Sequence, residues 1–205
     1  MTPQLLTIVA WSAFVLSWIG AAFWADRAEK RPARREARLY RAVTVAGVVL
    51  LVAGGEQFSR GADRLWSFEP VVDYALVLVV LSGVAFTWWA RLYLGRLWSS
   101  SVTKKADHRV IDTGPYAIVR HPIYTGIILA CAATAAQLGT ALAVAGVLVL
   151  WVGFWIKARL EERFLRSQLE EGAYDAYRQK VPMLVPFGPR GRERPAPTPT
   201  DKNTR

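Results

Sequence analysis

Long apolar stretches alternate with short polar and basic stretches along the chain. Three of them, at residues 5–24, 42–54 and 71–92, carry few or no charged residues, and a fourth, at 123–156, carries none. A helix rises 1.5 Å per residue, so about 20 apolar residues cross the roughly 30 Å hydrocarbon core of a bilayer. The first and third runs have this length. The second reaches it if Tyr40, Arg41 and Phe58 extend to the interfaces from its ends.

The fourth run, at about 34 residues, is too long for one membrane helix and long enough for two. The turn-forming segment Gln-Leu-Gly-Thr at 137–140 divides it, which predicts a helical hairpin. Its small residues would let the two backbones of the hairpin approach closely, as helices do in lipid; they include Gly126, Ala132, Ala136, Ala143 and Gly146. The pattern therefore predicts an all-α, polytopic membrane protein with five transmembrane helices.

Composition and charge agree with a membrane class. Hydrophobic residues make up 53% of the chain, nine residues are Trp, and the mean hydropathy is +0.19. The net charge of +10 lies in short blocks between the apolar runs, as in membrane loops in contact with lipid, and does not indicate nucleic-acid binding. The basic blocks at 27–41, 91–122 and after 156 fall on one side, so the positive-inside rule predicts an outside N-terminus and a cytoplasmic C-terminus. The single cysteine, Cys131, rules out an intramolecular disulfide.

Candidate chemistry lies in the 93–122 connection, which is long enough to form a folded lid or pocket wall. Both histidines of the chain, His108 and His121, occur there together with Tyr116, Arg120 and Tyr124. Anchoring at the lipid headgroups is the structural alternative for such residues. The spacing of the two histidines lacks the ligand pattern of a zinc site, so no metal is predicted. No Gly-x-Gly-x-x-Gly motif follows a strand, which excludes a soluble Rossmann-type methyltransferase domain.

A second candidate region follows the last apolar run. Lys157 and Glu161 lie four residues apart, hence on one helix face, either as an ordinary salt bridge or as residues that close the pocket. The apolar residues beyond them predict an amphipathic helix that lies on the membrane or on the domain; they are Leu160, Phe164, Leu165, Leu169, Tyr174, Tyr177 and Val181. Residues 188–205 are rich in Pro, Arg and Thr, and they are predicted to be a disordered tail.

Two motifs in these regions carry a family resemblance. The run Gly-Pro-Tyr-Ala-Ile-Val-Arg-His-Pro-Ile-Tyr-Thr-Gly at 114–126 is followed, after the hairpin, by Glu-Glu-Arg-Phe-Leu at 161–165 and Tyr-Asp-Ala-Tyr at 174–177. Over residues 92–187 this order resembles the isoprenylcysteine carboxyl methyltransferase family, and the phospholipid N-methyltransferases look similar there. The resemblance implies N-terminal membrane helices at 1–92 and a catalytic half at 93–187. Its pocket would face the cytoplasm, with the loop and the C-terminal helix as its roof and a lateral opening to lipid.

The resemblance also implies a set of functional residues. The cofactor would be S-adenosyl-L-methionine, in contact with His108, Arg109, Val110, Ile111, Tyr116, His121, Pro122, Ile123, Tyr124 and Glu161. Ser101 aligns with a further cofactor contact, where the family has a different residue type. His121 and Glu161 would be the catalytic pair. Lys157 would bind substrate at a position where the farnesylcysteine-acting enzymes have an arginine, so this chain departs from the family there.

The function expected from these residues is S-adenosylmethionine-dependent methylation of a lipophilic or prenylated acceptor at the cytoplasmic face. A carboxylate acceptor is favoured because it is already ionised at neutral pH, whereas an amine or a phenol would need His108 or His121 as a base. The alternatives are a phospholipid amine N-methyltransferase, a membrane reductase that uses a nicotinamide cofactor in a similar helix arrangement, and a lipid-binding scaffold without catalysis.

Overall fold

The computed structural model describes residues 1–22, 34–61, 64–95, 110–168 and 172–191. Throughout these ranges the regular structure is helical, which confirms the predicted all-α class. The helices are α1 (Pro3–Ala22), α2 (Arg34–Ser59), α3 (Pro70–Leu94), α4 (Pro115–Ile118), α5 (Pro122–Leu138), α6 (Ala141–Gln168) and α7 (Ala173–Lys180).

Four of these helices have the length and apolar composition needed to cross a membrane. They contain the candidate spans Pro3–Ala21, Ala37–Ser59, Pro70–Leu94 and Ala141–Ser167. The fifth apolar helix, α5, has 17 residues, so its length of about 26 Å falls slightly short of the hydrocarbon core. The protein is therefore an integral, multi-pass membrane protein.

The hairpin predicted from the fourth apolar run is present. Helix α5 ends at Leu138 because Gly139 adopts the left-handed conformation, with φ of 64°, and its N–H caps the Ala135 carbonyl. The connection between α2 and α3 packs on this turn: the Trp66 indole N–H donates to the Ala136 carbonyl at 2.7 Å, and the Leu65 N–H donates to the Gly139 carbonyl at 2.7 Å. These hydrogen bonds hold the connection between α2 and α3 against the turn of the hairpin.

The helices pack side by side in the order α1, α3, α5, α6, α2, and the most extensive contacts are those of α3 with α5 and α2 with α6. The small residues of the hairpin serve these two contacts. Gly126 faces Gly83 and Thr87 of α3, and Gly146 faces Gly47 of α2. The prediction that the small residues bring α5 and α6 together was therefore wrong: close backbone approach occurs between the hairpin and the preceding helices. Ala132 is exposed.

Helix α1 is attached to the bundle through polar side chains. The Thr7 hydroxyl donates to Gln137 Oε1 at 2.9 Å, and the Trp11 indole N–H donates to the Thr134 hydroxyl at 3.0 Å. Gln137 in turn donates to the backbone carbonyl of Asp73 at 3.2 Å, so α1, α3 and α5 share one buried network. Such interhelical hydrogen bonds stabilise helix association in lipid, where apolar surface alone provides little driving force.

The C-terminal part folds back onto the domain. With 28 residues, α6 is about 42 Å long and extends beyond the hydrocarbon core. The predicted amphipathic segment consists of the last turns of α6 and of α7, and Tyr174, Tyr177 and Val181 pack against Val110 and Leu165, so it lies on the domain. Residues 188–191 still contact α7 through a hydrogen bond from the Gly191 N–H to the Arg178 carbonyl. The remainder of the predicted disordered tail lies outside the described residues.

A glycine substitution tests the α3–α5 contact. A methyl group at Gly83 would lie 2.6 Å from the Gly126 carbonyl oxygen and 2.9 Å from the Ala130 nitrogen, both backbone atoms. We expect Gly83→Ala to destabilise the protein by about 1–3 kcal/mol and to lower its Tm in detergent. The control is Gly55→Ala, since a methyl group there meets no atom within 4 Å. Equal Tm values for the two variants would contradict the close packing.

Candidate active site

The residues before α5 are held in place by the C-terminal segment. The backbone N–H groups of Arg120 and His121 donate to the carbonyls of Pro182 and Met183, at 2.9 and 3.1 Å. Pro122 is the first residue of α5, where a missing N–H costs no helical hydrogen bond. One turn later, the Thr125 hydroxyl donates to the Leu184 carbonyl at 2.6 Å. His121 is therefore fixed at the N-terminus of α5 by a chain segment some 60 residues away.

His121 lies between two carboxylates of α6. Its Nδ1 is 3.5 Å from Glu161 Oε2, and its Nε2 is 3.4 Å from Glu162 Oε1. The ring stacks on Tyr124, with centroids 5.5 Å apart and an interplanar angle of 5°. The side chain is buried. This arrangement places a titratable cation in contact with both members of the Glu-Glu pair.

The two carboxylates differ in their surroundings. Glu162 is sealed, with 4% of its side chain exposed, and it accepts a hydrogen bond from Arg120 Nε at 2.7 Å and an ion pair from Arg178 Nε at 3.2 Å. Glu161 is more open, with 18% of its side chain exposed. It accepts a hydrogen bond from the Tyr124 hydroxyl at 2.6 Å. Glu162 is thus enclosed by the protein, whereas the side chain of Glu161 keeps some exposure.

The cations around Glu162 join three parts of the chain. Arg120 also donates to the backbone carbonyls of Arg178 and Val181. Arg178 of α7 pairs in addition with Asp175 at 2.9 Å, and Asp175 pairs with Arg166 of α6 at 2.9 Å. The segment before α5, the end of α6 and α7 are therefore connected by one charge network.

Lys157 lies on the same side of α6 as Glu161, as its spacing predicts, and its ammonium group contacts aromatic rings. Nζ lies 4.9 Å from the Tyr124 ring centroid and 5.7 Å from that of Tyr40, a buried residue of α2. A cation over an aromatic face is stabilised by roughly 0.5–2 kcal/mol. Tyr124 further stacks on Phe154 at 5.0 Å, and its ring contacts both the His121 ring and the Lys157 ammonium group.

The other predicted site residues lie around this centre. Ile123 and Tyr116 are buried in the same hydrophobic cluster as Tyr124 and Phe154, and the partly buried Ile111 packs against it. Val110 packs on the tyrosines of α7. The Tyr177 hydroxyl donates to the Tyr116 carbonyl at 2.6 Å, and burial raises the pKa of the Tyr116 hydroxyl, which therefore stays protonated. Ser101, His108 and Arg109 lie outside the described residues.

The charges around His121 change the pKa of its imidazole ring. Burial by itself lowers the pKa of His121, but hydrogen bonds and negative charge from Glu161 and Glu162 outweigh burial and raise the pKa above its ordinary value of 6.5. An imidazolium can donate from both nitrogens, one toward each carboxylate. The geometry therefore favours the protonated ring, which makes His121 a poor general base.

Sequence reasoning missed the roles of Glu162, Arg178 and Tyr40. The Glu-Glu motif is visible in the sequence, but helix spacing alone does not reveal that the second carboxylate is buried against two arginines. Arg178 is 58 residues from Arg120, and only the fold brings them together. Tyr40 was regarded only as an interfacial anchor of α2, and the sequence carries no signal of its contact with Lys157.

The fold and this centre define a multi-pass helical membrane enzyme with a buried histidine–carboxylate site at one end of its bundle. Comparison with known proteins specifies the class further. The model of the isoprenylcysteine carboxyl methyltransferase family matches residues 75–167. Over these residues the chain is similar to this family, and it is a membrane methyltransferase.

Similar proteins from fungi and plants are named protein-S-isoprenylcysteine O-methyltransferases. The protein-S-isoprenylcysteine O-methyltransferase of Schizosaccharomyces pombe is 27% identical over 191 residues, which cover 88% of this chain and 73% of the relative. Protein-S-isoprenylcysteine O-methyltransferase B of Arabidopsis thaliana is 26% identical over 138 residues, or 57% of this chain and 70% of the relative. A probable protein-S-isoprenylcysteine O-methyltransferase of Oryza sativa subsp. indica is 33% identical over 119 residues, or 57% and 62%.

The raised pKa of His121 predicts a pH dependence of stability. Because the folded-state pKa lies above the unfolded value of about 6.5, the imidazolium stabilises the fold fully below that pH. This contribution is lost as the pH rises through the folded-state pKa. We expect the Tm of the ligand-free protein to fall over this interval and His121→Gln to flatten the fall, as measured by thermal unfolding at a series of pH values. An unchanged pH profile in the variant would contradict the assignment.

Proposed function

We propose that this methyltransferase transfers a methyl group from S-adenosyl-L-methionine to the carboxylate of a lipophilic acceptor, with a methyl ester as the product. The observation that carries the proposal is Glu161, a largely buried carboxylate that keeps some exposure and contacts both His121 and Tyr124. The names of the relatives support a prenylated cysteine as the acceptor class.

The residues around Glu161 fit the amino-acid end of S-adenosylmethionine. Glu161 uses one oxygen toward Tyr124 and the other toward His121, and each carboxylate oxygen has a second lone pair, so the group can accept from an ammonium. A protonated His121 can attract the carboxylate of the same cofactor. Tyr116, Ile123 and Ile111 supply apolar and aromatic surface nearby, and we propose that Val110, Pro122, Tyr124, His108 and Arg109 complete the cofactor site.

The bound cofactor would supply an electrophilic methyl group on a sulfonium. The protein's own task is then to align the acceptor, exclude water and hold the charges that flank the reaction. His121 lies between two carboxylates and is a poor base, so the acceptor has to be ionised without help from the enzyme. A carboxylate meets this condition at neutral pH, whereas an ammonium does not.

Lys157 is proposed to bind the acceptor. Its compact ammonium group can hold a carboxylate as a point charge, without the two-pronged geometry of an arginine. Tyr40 and Tyr124 limit the directions in which this ammonium can move. The carboxylate of the acceptor would therefore meet Lys157 beside Tyr40, at the site end of the closely packed α2 and α6, while its apolar part stays in contact with the lipid-facing helices.

The topology proposed for this function has five spans, with α5 as the shortest, an outside N-terminus and a cytoplasmic C-terminus. The support is the excess of Lys and Arg in the segments at the end of the bundle where His121 lies. Residues 1–92 then form the N-terminal membrane helices, residues 93–187 form the catalytic half, and residues 188–205 form a tail.

Substitutions at the cofactor site give one test. We expect Glu161→Gln and His121→Ala each to weaken S-adenosylmethionine binding at least tenfold, because hydrogen bonds to charged groups contribute about 1.5–3 kcal/mol. Calorimetric titration of the detergent-solubilised protein measures the effect. Glu56→Gln is the matched control, because Glu56 is an exposed carboxylate paired with Arg60 on α2. Wild-type affinity in both site variants would refute the site.

The acceptor is tested with a labelled methyl group. After incubation with S-adenosylmethionine and a prenylated cysteine, we expect a labelled product from which mild alkali releases methanol. Lys157→Ala should raise the acceptor KM about tenfold while cofactor affinity stays unchanged. Arg159→Ala is the control, since Arg159 lies over Trp155 and not over the site. An alkali-stable label would favour N-methylation, and an unchanged KM would remove Lys157 from the acceptor site.

A further inference from the structure

Glu162 is the most completely enclosed carboxylate near the site, and the proposed function gives it no contact with cofactor or acceptor. Its side chain is 4% exposed and lies within reach of three cationic groups, two on adjacent residues before α5 and one on α7. Those groups are Arg120 Nε at 2.7 Å, Arg178 Nε at 3.2 Å and His121 Nε2 at 3.4 Å. A carboxylate so buried is stable only when its charge is compensated.

The three cations compete for one carboxylate. Arg120 and Arg178 are always charged, whereas His121 can lose its proton. Glu162 Oε1 faces both Arg120 and His121, and Oε2 faces Arg178. The more completely the arginines neutralise Glu162, the less negative charge remains to favour the imidazolium. The protonation of His121 therefore depends on how closely Arg178 of α7 approaches Glu162.

We propose that Glu162 is a positioning residue that holds His121 protonated and in its ring orientation, and that α7 adjusts this hold through Arg178. The other groups that face His121 are Glu161 on α6, which contacts the opposite ring nitrogen, and Tyr124 on α5, which stacks on the ring. Lys157 acts on Glu161 from one helical turn away. None of these three belongs to α7. Arg178 is a cation of α7 that contacts Glu162 directly, so it connects the docking of that helix with His121.

The consequence is a link between the C-terminal segment and the chemistry of the site. Its effect on methyl transfer rests on the proposed function, in which a protonated His121 faces the cofactor. The titration of His121 does not rest on the proposed function, because it is measured on the protein without cofactor or acceptor. Loss of methyl transfer and loss of this link are therefore separate results.

The experiment is an NMR titration of His121 in histidine-labelled protein in detergent micelles. The chain has two histidines, so a His108→Gln background leaves a single signal. In this background, we expect Glu162→Gln to shift the His121 midpoint to lower pH and Arg178→Met to shift it to higher pH. Arg178→Lys, which restores a cation, should bring the midpoint back toward that of the parent.

Arg166→Met is the matched control for a loosened α7. Arg166 joins α6 to Asp175 of α7 through an ion pair of 2.9 Å and leaves the Arg178–Glu162 contact in place. This variant should therefore shift the midpoint much less than Arg178→Met does. Equal shifts in Arg166→Met and Arg178→Met would reduce the effect to helix docking and overturn the proposal, as would a midpoint that does not respond to Arg178→Met. If Glu162→Gln fails to fold, the Met and Lys variants at Arg178 still decide between these outcomes.

Discussion

The buried carboxylate of Glu162 needs positive charge around it, and this requirement determines which chain segments meet at the end of the bundle that holds the candidate site. Removing one partner of a buried ion pair typically costs about 3–5 kcal/mol, because the remaining charge has no water to solvate it. Glu162 meets this requirement only when Arg120, before α5, and Arg178, on α7, converge on the end of α6. The same convergence accompanies the backbone hydrogen bonds of Arg120 and His121 with residues 182–183. The position of His121 thus follows from the neutralisation of Glu162.

Two neighbouring carboxylates can serve different purposes because successive helical residues point about 100° apart. Glu162 points into the charge network, and Glu161 points toward the more open side, yet both remain close enough to contact the same imidazole. A single histidine at the N-terminus of α5 therefore links a sealed structural charge with one that can meet a ligand. This division explains why the Glu-Glu pair occurs at the end of a long, rigid helix.

Much of this architecture could be predicted from the sequence, because the length of an apolar run and a single turn glycine determine where membrane helices begin and end. Gly139 marked the hairpin correctly, and the spacing of Lys157 and Glu161 placed them on one side of α6. The packing partners could not be predicted in this way. Gly126 is equally suited to approach α6 or α3, and only the assembled bundle selects α3. The contact between Arg120 and Arg178 likewise depends on a fold that periodicity does not encode.

The two sides of the proposed reaction come from different parts of the chain. His121, Tyr124 and Glu161 lie within the residues that match the family, whereas Tyr40 lies on α2, before the match begins at residue 75. The similarity to the family therefore covers the proposed methyl-transfer side and leaves out Tyr40 on the proposed acceptor side. The ring of Tyr40 restricts the Lys157 ammonium from the direction of α2, so a change in how α2 packs on α6 would move the charge that meets the acceptor. In the proposed reaction, choice among lipophilic acceptors would then depend on helix packing in the N-terminal half as well as on the residues of the catalytic motif.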